Sequence, residues 1–257
     1  MPRTSPSPTR ELWLVAGPPA GPLLFRAVID RLGSGFAVPL IDPEAPNDGW
    51  QERGRALAIA AQGKRVVLVG HGLAVPAVIA AAEAGEFEAV VLSNGPVTRL
   101  DPITAFVARL ARAPGFSETL LRPGIWLRWL RSSAGLRRAV VNPYVMDRDT
   151  TAALAGPLIA NAASRSALAA YLASLSGPLP DPRFIATRLW TIWGDGDPAY
   201  PAYEADYAIS KSPAGRHRCV PGGQHFHPEE RPWAMADLLA AVMAECGGDA
   251  QTLTSVS

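Results

Sequence analysis

The sequence is poor in cysteine and has no long apolar run. Its two cysteines, Cys219 and Cys246, have neither the spacing of a metal site nor the number needed for a disulfide framework. Cys219 is expected to be a small buried residue of a strand. No apolar stretch reaches the roughly 20 residues of a membrane-spanning helix. Residues 1–9 are too polar for a signal peptide. These features argue against a disulfide-rich secreted domain and an integral membrane protein, so the cytoplasm is the expected location.

An excess of charge of either sign is also missing. The formal net charge is +1 and the hydrophobic content is 48%, as in ordinary soluble globular proteins. Neither a nucleic acid nor an anionic membrane surface is expected as a partner. Arg128, Arg131, Arg137 and Arg138 are expected to form a solvated helix face. The 257 residues suit one large α/β domain, or a core with a modest insertion.

Short apolar runs of strand type alternate with helical stretches near both ends of the chain. Strands are predicted at 12–16, 36–41, 66–69, 89–93, 189–193 and 216–220. Helices are predicted at 23–32, 48–61, 78–83, 203–210 and 232–245. Pro39 within the second run indicates an edge strand or a bulge. Such alternation predicts a mostly parallel central sheet with helices on both faces.

The alternation stops between residues 97 and 185, where the chain is predicted to be helical throughout. This segment is interpreted as an inserted helical cap on a core made of residues 1–96 and 186–257, with residues 1–10 and 247–257 disordered. Its apolar residues either face a cavity or form the core of the insert, and the pattern leaves both interpretations open. They are Phe106, Phe116, Trp126, Trp129, Leu130, Tyr144, Met146 and Tyr171.

The most informative stretch is a predicted strand, turn and helix around Gly72. The run Gly70-His71-Gly72-Leu73-Ala74 has the shape of the nucleophile elbow G-x-S-x-G, with small residues where the sharp turn needs them. Glycine stands where that motif carries the nucleophile, so residue 72 can form no covalent intermediate. From this stretch alone, an ordinary strand–helix turn is an equally good interpretation.

Two later motifs resemble those of the α/β-hydrolase superfamily, in its capped, esterase- or lipase-like branch. The run 193–198, WGDGDP, resembles the acid turn W-G-x-x-D-x, and the run 222–232, GGQHFHPEERP, resembles the histidine loop G-H-F-x-x-x-E-x-P. The second run departs from the pattern, because Gln224 stands where the family usually has glycine. The resemblance implies an α/β-hydrolase fold with Asp197 as the acid and His225 as the base. Asp195 and His227 compete for these roles.

The loop after the first strand departs from the family as well. It reads Ala16-Gly17-Pro18-Pro19 where the family usually has H-G-x-P, whose third residue gives one N–H to the oxyanion hole. Pro18 has no N–H, although Leu73 can still supply the other donor. Loss of one donor lowers the rate about a hundred- to a thousand-fold. With Gly72, this is a second missing part of serine-esterase chemistry, which favours a natural glycine over an engineered one.

The expected function is therefore proton transfer by an enzyme of this fold, without a serine nucleophile. His225, oriented by Asp197, acts as general base in a reaction of the lyase, cyclase or cofactor-free oxygenase type. A catalytically inactive ligand-binding protein is the main alternative. Hydrolysis by direct water attack or by an unrecognised nucleophile is another, although Ser93, the nearest spare hydroxyl, is expected to cap a strand end.

The expected ligand is a small, partly apolar molecule between Gly72 and the cap. The residues expected to contact it are Pro18, His71, Leu73, Trp126 and Trp129. His217 is expected to be an exposed strand residue. Neither a metal nor an organic cofactor is expected, and a homodimer is left open.

Overall fold

A computed structural model describes residues 9–33, 35–37 and 48–252. The described strands form one sheet in the order β2-β1-β3-β4-β5-β6. They are β1 (Arg10–Ala16), β2 (Gly35–Ala37), β3 (Arg65–His71), β4 (Ala89–Ser93), β5 (Arg188–Gly194) and β6 (Arg216–Val220). All of the pairings described between neighbouring strands are parallel, which confirms the predicted parallel sheet.

Helices cover the sheet, as the alternating pattern predicts. The helices before residue 97 are α1 (Arg26–Leu32), α2 (Trp50–Ala60) and α3 (Val75–Ala84). Three more helices follow residue 185, at Ala202–Ser210, His227–Glu230 and Pro232–Thr252. The central strands β3 and β4 are apolar and buried along almost their whole length, because the sheet is covered on both faces. Of the helices in the described residues, none is both long and apolar enough to cross a membrane.

Residues 97–185 separate β4 from β5 and contribute helices but no strand to the fold; the structure describes the whole segment. The helices are α4 (Pro102–Leu110), α5 (Phe116–Thr119), α6 (Pro123–Leu130), α7 (Arg148–Ala155) and α8 (Ala162–Ser174). This segment is called the insert below. The helices that follow it are accordingly α9 (Ala202–Ser210), α10 (His227–Glu230) and α11 (Pro232–Thr252).

Helix α8 ties the insert to the sheet domain. The Tyr171 hydroxyl donates to the Leu73 carbonyl at 2.6 Å, directly after Gly72. The Trp50 backbone N–H donates to the Ser174 hydroxyl at 3.1 Å. The insert therefore contacts the core at the turn that the sequence singles out.

The structure differs from the prediction at the chain's end and at one edge strand. Helix α11 continues to Thr252, whereas the sequence predicts a disordered tail from Gly247. The Arg10 guanidinium donates to the Cys246 carbonyl at 3.0 Å and so docks this end of α11 onto β1. Cys219 is exposed rather than buried, because β6 is an edge strand.

One predicted helix begins differently, and one predicted strand is described only in part. The helix predicted at 23–32 begins as a 3₁₀ turn, Pro22–Phe25, before α1. The strand predicted at 36–41 is described only as β2, and residues 38–41 lie outside the described residues, as do 1–8 and 253–257.

Candidate active site

The turn at Gly72 joins the end of β3 to α3. Gly72 has φ +62° and begins a short 3₁₀ turn, Gly72–Ala74. Residues with a Cβ occupy this left-handed region at a cost of about 1–3 kcal/mol, whereas glycine adopts it freely. A Cβ built on Gly72 would lie 3.2 Å from Nε2 of His225. The position that would carry a nucleophile therefore faces the imidazole of the predicted base.

The structure brings the predicted acid and base together. Nδ1 of His225 lies 2.9 Å from Oδ2 of Asp197, and both residues are buried. With Nδ1–H donating to this carboxylate, Nε2 is left to face Gly72 and the adjoining cavity. The competing candidate Asp195 instead accepts a bond of 2.6 Å from the Gly222 backbone N–H, which holds the histidine loop.

Asn94 completes the environment of Asp197, and sequence analysis missed its role. Its amide nitrogen donates to Oδ2 of Asp197 at 2.8 Å, and its amide oxygen accepts from the Gly194 backbone N–H at 2.8 Å. The backbone N–H of Ala199 donates to Oδ1 of Asp197, also at 2.8 Å. Asn94 follows β4 directly and has φ +32°, a conformation that asparagine tolerates better than most residues. Its position at a strand end was the one available signal.

Burial and hydrogen bonding act in opposite directions on the Asp197 carboxylate. Burial raises the pKa of Asp197, but attraction to His225 and hydrogen bonds from His225, Asn94 and the Ala199 backbone outweigh this effect. The net pKa is lowered, so the group is an ionised carboxylate at neutral pH. A fixed negative charge beside Nδ1 orients the ring and stabilises its protonated form.

The loop after β1 cannot donate a hydrogen bond at the position expected of an oxyanion hole. Pro18 and Pro19 have no N–H, and the Gly17 N–H already donates to the His71 carbonyl at 3.0 Å. Leu73, which follows the turn residue, keeps a backbone N–H at the second donor position. The loop geometry agrees with the loss of a donor expected from the sequence.

A family model described as Alpha/beta hydrolase family matches residues 7–238, which is most of the chain. The chain belongs to the alpha/beta hydrolase family. No curated protein matches its sequence.

Solved structures of this fold superimpose on nearly the whole chain. An esterase from Thermogutta terrifontis is 13% identical over 93% of this chain and 91% of its own, with a TM-score of 0.70. Haloalkane dehalogenase DbeA from Bradyrhizobium elkani USDA94 is 14% identical over 96% and 93%, with a TM-score of 0.71. Bromoperoxidase from Bacillus anthracis is 13% identical over 92% and 93%, with a TM-score of 0.70. Identities this low establish the shared fold alone.

In this alpha/beta hydrolase family member, Ser93 links two buried histidines behind the ring of His225. Its hydroxyl lies 3.1 Å from Nδ1 of His71 and 3.2 Å from Nε2 of His227. A hydroxyl can donate to one ring nitrogen and accept from the other, which suits two neutral imidazoles. The sequence predicted that Ser93 caps the strand end, but its hydroxyl bonds to these two histidines instead. Ser93 is also fully buried, so it does not face a ligand.

Both histidines of this cluster are kept neutral. Burial lowers the pKa of His71 well below its usual value, and the charges of His225 and His227 act in the same direction. Burial lowers the pKa of His227 to about 3, again with help from His225. His227 is thus not the base that Asp197 holds. The His71 ring lies 5.1 Å from that of His225, centroid to centroid, and packs behind it.

A small cavity of about 70 Å³ opens beside His225. Four of the five predicted contact residues line it, namely Pro18, Leu73, Trp126 and Trp129. The fifth, His71, has only 1% of its surface exposed and lies in the cluster behind the wall. The predicted ligand site and the predicted base thus share one cavity.

Polar groups that sequence analysis missed line the same cavity. Asp101, Thr104, Arg138 and Tyr200 all contribute to its wall. The Arg138 guanidinium donates to Asp101 at 2.7 Å, and the Thr104 hydroxyl also donates to this carboxylate. The expectation that Arg138 belongs to a solvated helix face is therefore wrong. Burial raises the pKa of Tyr200 well above its usual value, and the nearby charge of Asp101 adds to the effect.

The apolar residues of the insert divide between cavity walls and core. Those that line this cavity or a neighbouring groove are Phe106, Phe116, Trp126, Trp129 and Leu130. Met146 and Tyr171 are buried in the core, whereas Tyr144 is 85% exposed.

Proposed function

We propose that this protein is an enzyme that uses His225, oriented by Asp197, as a general base on a small, partly apolar substrate, without a covalent nucleophile. The observation that carries this proposal is the Nδ1–Oδ2 hydrogen bond of 2.9 Å between two buried side chains, with Nε2 facing Gly72 and the His225 ring forming part of a cavity wall. We further propose that the insert acts as the cap over this cavity.

The mechanism follows from the imidazole's two nitrogens. Nε2 accepts a proton from a substrate C–H or O–H group, and Nδ1–H remains bonded to the Asp197 carboxylate, whose charge stabilises the imidazolium that forms. The Leu73 N–H can donate to an oxygen that gains negative charge. Proton abstraction of this kind is the central step of lyase, cyclase and cofactor-free oxygenase reactions, which are the reaction types we propose.

Two other functions use the same residues differently. Glycine at position 72, regarded as the replacement of a serine, and Pro18 remove two parts of the acyl-transfer apparatus, which favours an inactive protein that only binds a ligand. In a hydrolase that acts by direct water attack, His225 would activate a water in the cavity that it lines. The binding protein would convert none of its ligands, and the hydrolase would give a product that incorporates only water.

The experiment compares the wild type with variants of the pair. Ligands found by thermal shift, which reports binding to the folded state, are incubated with wild type, His225→Ala and Asp197→Asn, and products are followed by mass spectrometry. We expect His225→Ala to lower turnover about a hundred- to ten-thousand-fold, since general-base catalysis contributes that much, with ligand affinity within about tenfold of wild type.

His217→Ala is the matched control, because His217 is an exposed residue of β6. It should leave turnover unchanged. If the His225 variant converts the ligand as fast as wild type, His225 is not the base. If wild type converts none of its ligands, the binding-protein function replaces this proposal. A product that incorporates only water would instead favour hydrolysis.

A further inference from the structure

An apolar groove of about 490 Å³ lies on the insert, formed by residues of α4, α5 and α6. Every side chain that lines it is a hydrocarbon or an indole ring. Phe106 is 64% exposed and Ile125 is 49% exposed, although large apolar side chains are usually buried. A concave apolar surface of this volume falls within the range of ligand sites, roughly 300–1,000 Å³.

This groove adjoins the small cavity at His225. The two share five lining residues: Ile103, Val107, Trp126, Trp129 and Ala134. The rings of Trp126 and Trp129 stack with centroids 4.8 Å apart and form part of this common wall. The cavity and the groove are therefore neighbours, and a ligand that spans both would place one end beside His225 and the other in the groove.

The two spaces differ in size and in chemistry. The cavity of about 70 Å³ admits only a compact group and includes His225, Tyr200 and the Asp101–Arg138 ion pair in its wall. The groove is about sevenfold larger and offers only apolar contacts. A molecule that is polar throughout would leave its groups unpaired in the groove, which is unfavourable.

We infer that the ligand is a two-part molecule, whose compact polar head lies beside His225 and whose longer hydrocarbon tail lies in the groove of the insert. The inference rests on the proposed function only in that the reacting group belongs to the head. Binding of the tail depends on removal of apolar surface from water and needs no turnover.

The test is isothermal titration of the whole protein with straight-chain primary alcohols from four to ten carbons. These probes share one uncharged head, so a change in affinity reports the tail. Affinity should rise about fourfold for each added methylene, the factor expected when a methylene leaves water. An affinity that is independent of chain length would overturn the inference.

Phe106→Asp places a charge at the rim of the groove, and Phe184→Asp makes the same change at another exposed phenylalanine, 49% against 64% exposed, that does not line the groove. The first should weaken binding of the ten-carbon alcohol about tenfold, and the second should leave it unchanged. Equal effects of both variants would place the tail elsewhere and overturn the inference. The same result follows if light scattering shows a dimer that Phe106→Asp dissociates, because a second copy would then cover the groove.

The outcomes separate this inference from the proposed base. An affinity that does not change with alcohol chain length would overturn the inference but would not affect the proposed role of His225. Conversely, a His225→Ala variant that retains full turnover removes the proposed base but leaves a chain-length dependence standing, since the groove contacts do not involve that residue.

Discussion

At the scale of single residues, the arrangement at Gly72 can be tested by adding one hydroxyl. A Cβ there lies 3.2 Å from Nε2 of His225, so the hydroxyl of Gly72→Ser comes within hydrogen-bonding reach after a slight shift of the ring. His225 and Asp197 would then activate it as a nucleophile. We expect the variant to be labelled stoichiometrically by a fluorophosphonate probe, measured by intact-protein mass spectrometry. Wild type should remain unlabelled.

The control separates nucleophile activation from backbone strain. Gly115 also has a positive φ, +78°, but nothing lies within 4 Å of a Cβ built on it, so Gly115→Ser should lose similar stability and react with nothing. Ester turnover by Gly72→Ser should remain low, since Pro18 provides no oxyanion donor. Labelling of wild type would reveal an unrecognised nucleophile, and a folded but unreactive Gly72→Ser would contradict the geometry.

The residues of the site differ in how far the sequence predicts them. Asp197 and His225 lie in extended motifs with a distinctive spacing, and the structure brings them within hydrogen-bonding distance. Asn94 and Ser93 carry no motif, because each acts through residues far away in the chain. The contact of Ser93 with His71 follows from the register of the sheet, in which these two residues pair. The contacts of Ser93 with His227 and of Asn94 with Asp197 depend on the segments that follow β6 and β5.

At the scale of elements, the contact between α8 and the Gly72 turn depends on one buried hydroxyl. Tyr171 is fully buried and donates to the Leu73 carbonyl at 2.6 Å. Tyr171→Phe removes this donor and should lower the free energy of unfolding by about 1–2 kcal/mol, a fall of roughly 2–8 °C in Tm. Tyr144→Phe changes a residue that is 85% exposed and should leave Tm unchanged. Equal Tm values for both variants would mean that this bond does not stabilise the insert.

Secondary structure follows from the sequence best where local pattern and burial agree. The predicted strands at 89–93 and 216–220 coincide with β4 and β6. The last helix is predicted to stop at residue 245, whereas α11 extends further, and the bond from Arg10 to the Cys246 carbonyl is a tertiary contact that a local pattern cannot reveal. The sequence predicted the helical class of the insert, and Trp126 and Trp129, which were expected to contact a ligand, line the cavity. It did not predict that Tyr144 is exposed or that Met146 and Tyr171 are buried in the core.

At the scale of the whole molecule, the buried histidines link stability to pH. The pKa of His227 falls to about 3 in the folded protein and that of His71 also lies well below 6.5, whereas both should titrate near 6.5 when unfolded. Below pH 6.5 the unfolded chain therefore binds more protons, so stability falls as the pH falls. The lowered pKa of Asp197 stabilises the fold above about pH 4, and this contribution is lost only at still lower pH.

Between pH 6 and pH 5, where most carboxylates stay ionised, the two histidines should dominate this dependence. Each histidine that stays neutral in the folded protein should lower the free energy of unfolding by about 1 kcal/mol as the pH falls from 6 to 5. Urea unfolding at each pH measures this change. His227→Gln should lose about half of the dependence, because glutamine can bond to Ser93 without titrating. His217→Ala, which changes an exposed histidine, should retain it. Wild-type stability that stays constant from pH 6 to pH 5 would show that the cluster accepts protons while folded, and the neutral Ser93-linked pair would then be wrong.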